Sequence, residues 1–124
     1  MGRFLIVDDE KMYREPLLFV LAHKGHEVKT ASTGHEAVET GEQFFPHVLV
    51  ADWRLTNDFS GLQVAEVLSH AVENLKVIMI TGYSTEELRQ ESKVGIFRIL
   101  EKPFDLDEFV VAAEDALVEA GLGA

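Results

Sequence analysis

A doubly wound α/β sandwich built on five parallel strands is the fold this sequence predicts, and three observations carry the expectation. Short strand-like runs recur five times, most of them apolar, helical stretches separate them in strict alternation, and the first and third runs end in carboxylates. Strands that alternate with helices need crossover connections, and crossovers give a parallel sheet with helices on both faces. Among the common strand orders, 2-1-3-4-5 sets strands 1 and 3 side by side at the switch point. Asp8, Asp9 and Asp52 then share one crevice beyond the carboxyl ends of the strands, where such folds bind ligands.

The elements follow in order. Phe4 to Val7 reads as the first strand. Lys11 to His23 reads as a helix on the spacing of Leu17, Leu18, Val20 and Leu21, stopped by Gly25. Pro16 inside it removes one amide donor, so either a kink or a later start to the regular helix is expected. Glu27 to Thr30 gives a short strand, Gly34 to Phe45 a helix ended by Pro46, and His47 to Ala51 the third strand. Gly61 to His70 forms the third helix, and Lys76 to Ile80 the fourth strand, ending at Thr81. Thr85 to Lys93 reads as a polar helix, Phe97 to Leu100 as the fifth strand, and Asp105 to Ala120 as the last helix. The stripe Leu106, Phe109, Val110, Ala113 and Leu117 has helical spacing and reads as core packing.

Composition narrows the function. The 124 residues suit one domain spanning 1–124, with a 47% hydrophobic content ordinary for a globular fold. A net charge of -11 without a Lys/Arg cluster opposes phosphate backbones and anionic lipid, so neither direct nucleic-acid nor membrane binding is expected. Cysteine is absent, which fits a reducing compartment. No apolar run approaches the roughly 18 residues that span a bilayer, and Met1-Gly2 lacks Ser or Thr at position 6, so no signal peptide, anchor or myristoyl group is expected. The location expected is cytoplasmic.

The crevice itself suggests phosphoryl chemistry. Two unit charges about 4 Å apart repel by roughly 4 kcal/mol at an effective dielectric of 20, so three carboxylates together call for a cation. Hard oxygen donors match Mg²⁺, which takes one or two carboxylates, waters and a phosphate oxygen. Thr81 and Lys102, at the ends of strands 4 and 5, add a hydroxyl and an ammonium at the same rim. A carboxylate nucleophile, a metal, a hydroxyl donor and an ammonium together can stabilise a phosphoryl group in transfer. The ordinary reading of each residue alone is blander: Asp8 or Asp9 as a cap of the first helix, Thr81 as a strand-end cap, Lys102 as a solvated surface residue. Their joint placement favours the site. His23, His26 and His35 fall at a helix end and turns, a poor arrangement for a second metal site.

In that order and spacing Asp8-Asp9, Asp52, Thr81 and Lys102-Pro103-Phe104 resemble the receiver domain of two-component response regulators, chemotaxis-regulator-like in extent, and the resemblance covers essentially the whole chain. It implies that Asp52 accepts a phosphoryl group from the phosphohistidine of a sensor kinase or a phosphotransfer protein. It implies Mg²⁺ held by Asp8, Asp9, Asp52 and the backbone carbonyl of Arg54, with Thr81 and Lys102 on the phosphoryl oxygens and a cis Lys102-Pro103 bond. It further implies a partner surface on helix 4, strand 5 and helix 5 that a downstream protein or output domain reads.

Three departures from the family pattern stand out. Thr56 replaces the usual Pro, and the segment from Asp52 to Gly61 is one residue longer. Ile99 stands three residues before the Lys, where the family carries Tyr or Phe, and Phe97 is the nearest aromatic. Arg54 and Tyr83, two residues after the Asp and the Thr, are bulky and imply restricted water access and a long-lived phosphoryl group. Two alternatives to the switch arise. One is a receiver-like adaptor read without phosphorylation, which the missing aromatic and altered loop would suit. The other is a Mg²⁺-dependent phosphohydrolase, which the Arg at position 54 argues against, because such enzymes place a second Asp there.

Overall fold

The computed structural model describes residues 1–55, 59–83 and 85–122. Thr56 and the added length of the loop, singled out in the sequence, fall at 56–58, outside the described residues. Ten elements alternate: β1 (Arg3–Val7), α1 (Lys11–His23), β2 (Glu27–Ala31), α2 (Gly34–Phe44), β3 (Val48–Asp52), α3 (Gly61–Ala71), β4 (Lys76–Thr81), α4 (Thr85–Glu91), β5 (Arg98–Glu101) and α5 (Leu106–Glu119). The strands form one parallel sheet in the order 2-1-3-4-5, as the alternation predicts.

The period of two along each strand splits the core into two layers. Phe4, Ile6, Val48, Val50, Ile78, Ile80 and Leu100 face α1 and α5, whose Leu17, Leu21, Phe109, Ala112, Ala113 and Ala116 cover them. Leu5, Val7, Leu49, Ala51, Val77 and Met79 face the other way, against Ala37 of α2, Leu62, Val64, Ala65 and Leu68 of α3, and Leu88 of α4. Of the helical stripe expected to be core, Phe109, Ala113 and Leu117 are buried and Val110 packs against them, but Leu106 is 44% exposed. It opens the first turn of α5, where its side chain stays partly in solvent.

Local chemistry sets the element ends. Gly25, at φ 91, closes α1: its amide donates to Ala22 O and the next amide, of His26, to Leu21 O, the paired bonds of a left-handed helix stop. Helix α1 runs from Lys11 across Pro16 without a later start, because Pro16 forfeits only one bond, to the carbonyl of Met12 on the exposed side. Helix α2 ends at Phe44, one residue early, since Phe45 turns left-handed (φ 53) ahead of Pro46. A bulky residue rarely adopts that conformation, and here the Arg3 guanidinium secures it by donating from Nε (3.0 Å) and Nη2 (2.8 Å) to Phe45 O. Ser60 and Gln63 exchange the two bonds of a capping box that starts α3. Helix α4 ends at Glu91 rather than Lys93 because the Ser92 hydroxyl donates to Val94 O and accepts the Val94 amide, diverting the chain. Strand β3 lies one residue later than the apolar run indicates, Asp52 pairing with Ile80 while His47 stays outside it.

His47 and His26 instead share a task at the opposite end of the sheet. Each directly precedes or stands just ahead of a strand flanking β1, and each takes an amide of β1's first residues: His26 Nδ1 accepts from Gly2 N at 3.0 Å and His47 Nδ1 from Arg3 N at 2.9 Å. Both bonds need a neutral ring. Burial holds His26 below the usual histidine range, helped by the N-terminal amine and Lys24 and opposed by Glu114; burial, Arg3 and the N-terminal amine do the same for His47. Because the folded rings bind protons less readily than unfolded ones, their stabilisation is complete above about pH 6.5 and is lost as pH falls below it. The double variant His26→Asn/His47→Asn should therefore be less stable than wild type by about 1 kcal/mol per bond at pH 7.5. Urea unfolding at a series of pH values should show that gap closing toward pH 5; a constant gap would mean the rings do not titrate with folding.

Candidate functional site

The candidate residues all stand where strands end. Asp8 and Asp9 follow β1, Asp52 and Thr81 are the last residues of β3 and β4, and Lys102 follows β5. Asp8, Asp52 and Lys102 continue the phase of Ile6, Val50 and Leu100, facing α1 and α5, whereas Thr81 continues Val77 and Met79 on the other face. The backbone fixes the rim: the Trp53 amide donates to Ile80 O and the Lys102 amide to Thr81 O, each at 2.8 Å. The Lys102-Pro103 bond is cis. Gly61 lies so close to the Asp52 carbonyl that any Cβ would collide with its oxygen, and its amide donates to Trp53 O at 2.8 Å.

Lys102 ties the carboxylates together. Its Nζ is 3.3 Å from Asp52 Oδ2, 3.6 Å from Asp8 Oδ2 and 3.8 Å from Glu10 Oε1, with the side chain only 14% exposed. The expectation of a solvated lysine is thus excluded. Asp8 does two jobs: Oδ1 accepts the Glu10 amide at 2.9 Å, shaping the entry to α1, while Oδ2 is buried and accepts no hydrogen bond. Helix α1 itself starts at Glu10 without a side-chain cap. Asp8, Asp9 and Glu10 place carboxylate oxygens within 4.8 Å of one another, the one such group of three or more potential metal ligands among the described residues. His23, His26 and His35 do not assemble; His35 instead pairs with Glu39.

The electrostatics follow from burial and crowding. Burial and the nearby charge of Asp8 push Asp52 up to about 6, against the pull of Lys102. Burial likewise raises Asp8, although the Glu10 amide and Lys102 lower it. Burial works against the charge on Lys102, but Asp52, Asp8 and Glu10 outweigh it and hold the ammonium above its usual value. A buried carboxylate oxygen that accepts no hydrogen bond, beside two further carboxylates, is an all-oxygen donor set that fits a hard dication such as Mg²⁺. Thr81 is fully buried, and its Oγ1 accepts the Tyr83 amide at 2.8 Å, the bland strand-end role, which leaves the hydroxyl proton free to donate.

A cleft of about 370 Å³ opens above Asp52, lined by Glu10, Asp52, Arg54, Gly82, Tyr83 and Lys102. The Arg54 guanidinium lies over Trp53 (4.1 Å to the ring centroid) and Tyr83 (5.2 Å), whose rings meet edge to face at 6.2 Å. Ile99 pairs with Met79 and packs with the α2, α3 and α4 layer. Phe97 precedes β5 and packs on the opposite layer, so it does not stand in for the missing aromatic. Two site residues escaped the sequence reading. Glu10 was signalled by the acidic triplet Asp8-Asp9-Glu10, whereas Tyr13, whose ring centroid is 4.1 Å from Lys102 Nζ, comes near only through the tertiary fold.

The chain is similar to known proteins along most of its length. Residues 4–114 match the response regulator receiver domain family. The chain is 30% identical over 107 residues to sporulation initiation phosphotransferase F of Bacillus subtilis, covering 86% of each. It is 31% identical to the regulatory protein AtoC of Escherichia coli over 94% of its own length but only 25% of that protein, so it spans a quarter of that relative. The structure of the response regulator TrrA from Thermotoga maritima in complex with Mg²⁺ and BeF superposes with a TM-score of 0.82 at 29% identity, covering 94% of this chain and all of that one. On a five-stranded frame that sets a buried aspartate at the end of the central strand beside a lysine beyond the last one, the match along most of the sequence decides the family: the chain is a member of the response regulator receiver domain family of two-component signalling systems.

Proposed function

We propose that Asp52 is the phosphoacceptor, that Mg²⁺ binds through Asp8, Asp9, Asp52 and the Arg54 carbonyl with Glu10 beside them, and that a sensor histidine kinase or phosphotransfer protein in the cytoplasm is the donor. The observation that carries this reading is the Lys102 ammonium 3.3 Å from Asp52 Oδ2 and 3.6 Å from Asp8 Oδ2, a buried oxygen that accepts no hydrogen bond. The Mg²⁺-BeF complex of the TrrA relative supports the ligand class.

The chemistry follows from the residues. With its proton lost near pH 6, Asp52 is mostly ionised at pH 7.5 and remains a nucleophile. A carboxylate oxygen attacks phosphorus, the bond to the donor nitrogen breaks, and that imidazole leaves neutral once it has taken up a proton. Lys102 and the Thr81 hydroxyl donate to the phosphoryl oxygens, replacing the contacts Lys102 makes with Asp52 and Glu10. A bound Mg²⁺ supplies neutralisation of carboxylate and phosphoryl charge. The chain then catalyses only its own phosphorylation and dephosphorylation. Ile99 is β-branched, stiff and without a hydroxyl, so the conformational response runs mainly through Thr81 and Lys102. No described contact favours the phosphorylation-independent adaptor.

Intact mass after incubation with acetyl phosphate and Mg²⁺ should rise by one phosphoryl group in wild type and stay unchanged in Asp52→Asn; labelling that survives in the variant would move the acceptor elsewhere. The same variant reports the crowding. Folded Asp52 holds its proton more readily than the unfolded carboxyl, so its charge weakens the metal-free fold above about pH 6, and that penalty vanishes as pH falls below about 4. Asp52→Asn should therefore stabilise the metal-free protein by about 1–3 kcal/mol at pH 7.5, with the gain fading near pH 4 in denaturant titrations. A third test concerns lifetime. Arg54 and Tyr83 line the cleft with Asp52, and in this reading their stacked side chains limit the approach of water to the phosphoryl group. The double variant Arg54→Ala/Tyr83→Ala should lose its phosphoryl group roughly fivefold faster, a barrier change of about 1 kcal/mol; an unchanged decay followed by mass would show that neither side chain excludes water.

A further inference from the structure

Lys102 has a fourth neighbour besides the three carboxylates. The Tyr13 ring, on the first turn of α1, lies with its centroid 4.1 Å from Nζ, well inside the roughly 6 Å at which an aromatic face attracts a cation. Tyr13 is half-buried, and its amide donates to Glu10 O at 3.1 Å, so the turn that carries Glu10 also aims the ring. The contact differs in kind from the other three. Asp52, Asp8 and Glu10 surround an ammonium with three N–H donors, and a phosphoryl group on Asp52 would need the same donors. A ring face attracts the charge without supplying a lone pair that fixes a direction, so it can retain the ammonium while the donors are exchanged.

Resting on the phosphoacceptor reading, we infer that Tyr13 is a positioning residue for phosphoryl transfer, its ring holding the Lys102 ammonium over the Asp52 cleft while the N–H donors pass from carboxylate to phosphoryl oxygens. An aliphatic residue of similar reach would fill the space but not attract the charge. Tyr13→Leu therefore tests the ring, and Tyr13→Phe tests whether the hydroxyl matters.

Beryllofluoride serves as the phosphoryl mimic and Trp53, the sole tryptophan, buried next to Asp52, as the fluorescent reporter. At saturating Mg²⁺, Tyr13→Leu should weaken beryllofluoride binding about fivefold, within the range such contacts supply, and Tyr13→Phe should restore it. Mg²⁺ binding measured alone should not weaken in either variant, whereas general damage to the site would lower both affinities. In a Lys102→Met background Tyr13→Leu should add nothing. Upfield ring-current shifts of the Lys102 ε-methylene protons should vanish in Tyr13→Leu and persist in Tyr13→Phe. Unchanged beryllofluoride affinity in Tyr13→Leu, or an equal loss in the Lys102→Met background, would overturn the inference. Wild-type protein that binds Mg²⁺ but no beryllofluoride would overturn the phosphoacceptor reading and this role with it, and the ring-current shifts would show whether the contact itself exists.

Discussion

The molecule is organised around one electrostatic conflict, carboxylates driven together at the end of a buried sheet and a single ammonium set among them. Asp8 and Asp52 are 1% and 6% exposed, so neither can rely on water. Raising Asp52 from 3.8 to about 6 corresponds to about 3 kcal/mol, similar to what burying one or two large apolar side chains contributes. The sheet can sustain that strain because β3 is buried along its whole length, with Val48, Leu49, Val50 and Ala51 each fully inaccessible. Lys102 relieves part of the conflict but also reaches three carboxylates at once, which leaves it mobile in allegiance rather than locked to one partner.

The two-layer packing explains why the conflict arises where it does. Residues that alternate along a strand face alternate layers, and the chain continues that alternation past the strand ends. Asp8, Asp52 and Lys102 meet because they extend the apolar series of the α1 and α5 face; Thr81 approaches from the other layer. Arg54 and Tyr83 then close over the rim through Trp53, which is buried in the second layer and anchors the stack. The chemistry is thus assembled by rigid strands, and only its cover is carried by loops.

Much of this was legible in the sequence because hydrophobic period and strand-terminal acids are local signals. Strand order, all ten elements and the meeting of Asp8, Asp9, Asp52, Thr81 and Lys102 at one edge followed from them. The errors lie where another local force intervenes. Asp52 joins the ladder because its neighbour Ile80 offers a partner, which polarity alone does not reveal, and Ser92 ends α4 through hydrogen bonds that a period count ignores. Leu106 has the right spacing but stands in the first turn of α5 and stays partly exposed. Tyr13 was illegible for a different reason: the cations near it in sequence, Lys11 and Arg14, are not the one its ring meets, and its partner Lys102 is separated by most of the chain.

The bond between the Gly61 amide and Trp53 O, together with the close approach of Gly61 to the Asp52 carbonyl, staples the two ends of the connection that leaves β3. These two contacts fix both where the chain leaves β3 and where it enters α3, so the end of the strand that carries Asp52 is held from two sides. Strand end and helix start are thereby coupled through one position: a side chain at residue 61 would be felt at Asp52 as a displaced backbone, so this glycine acts as a gauge of the spacing between sheet and helix.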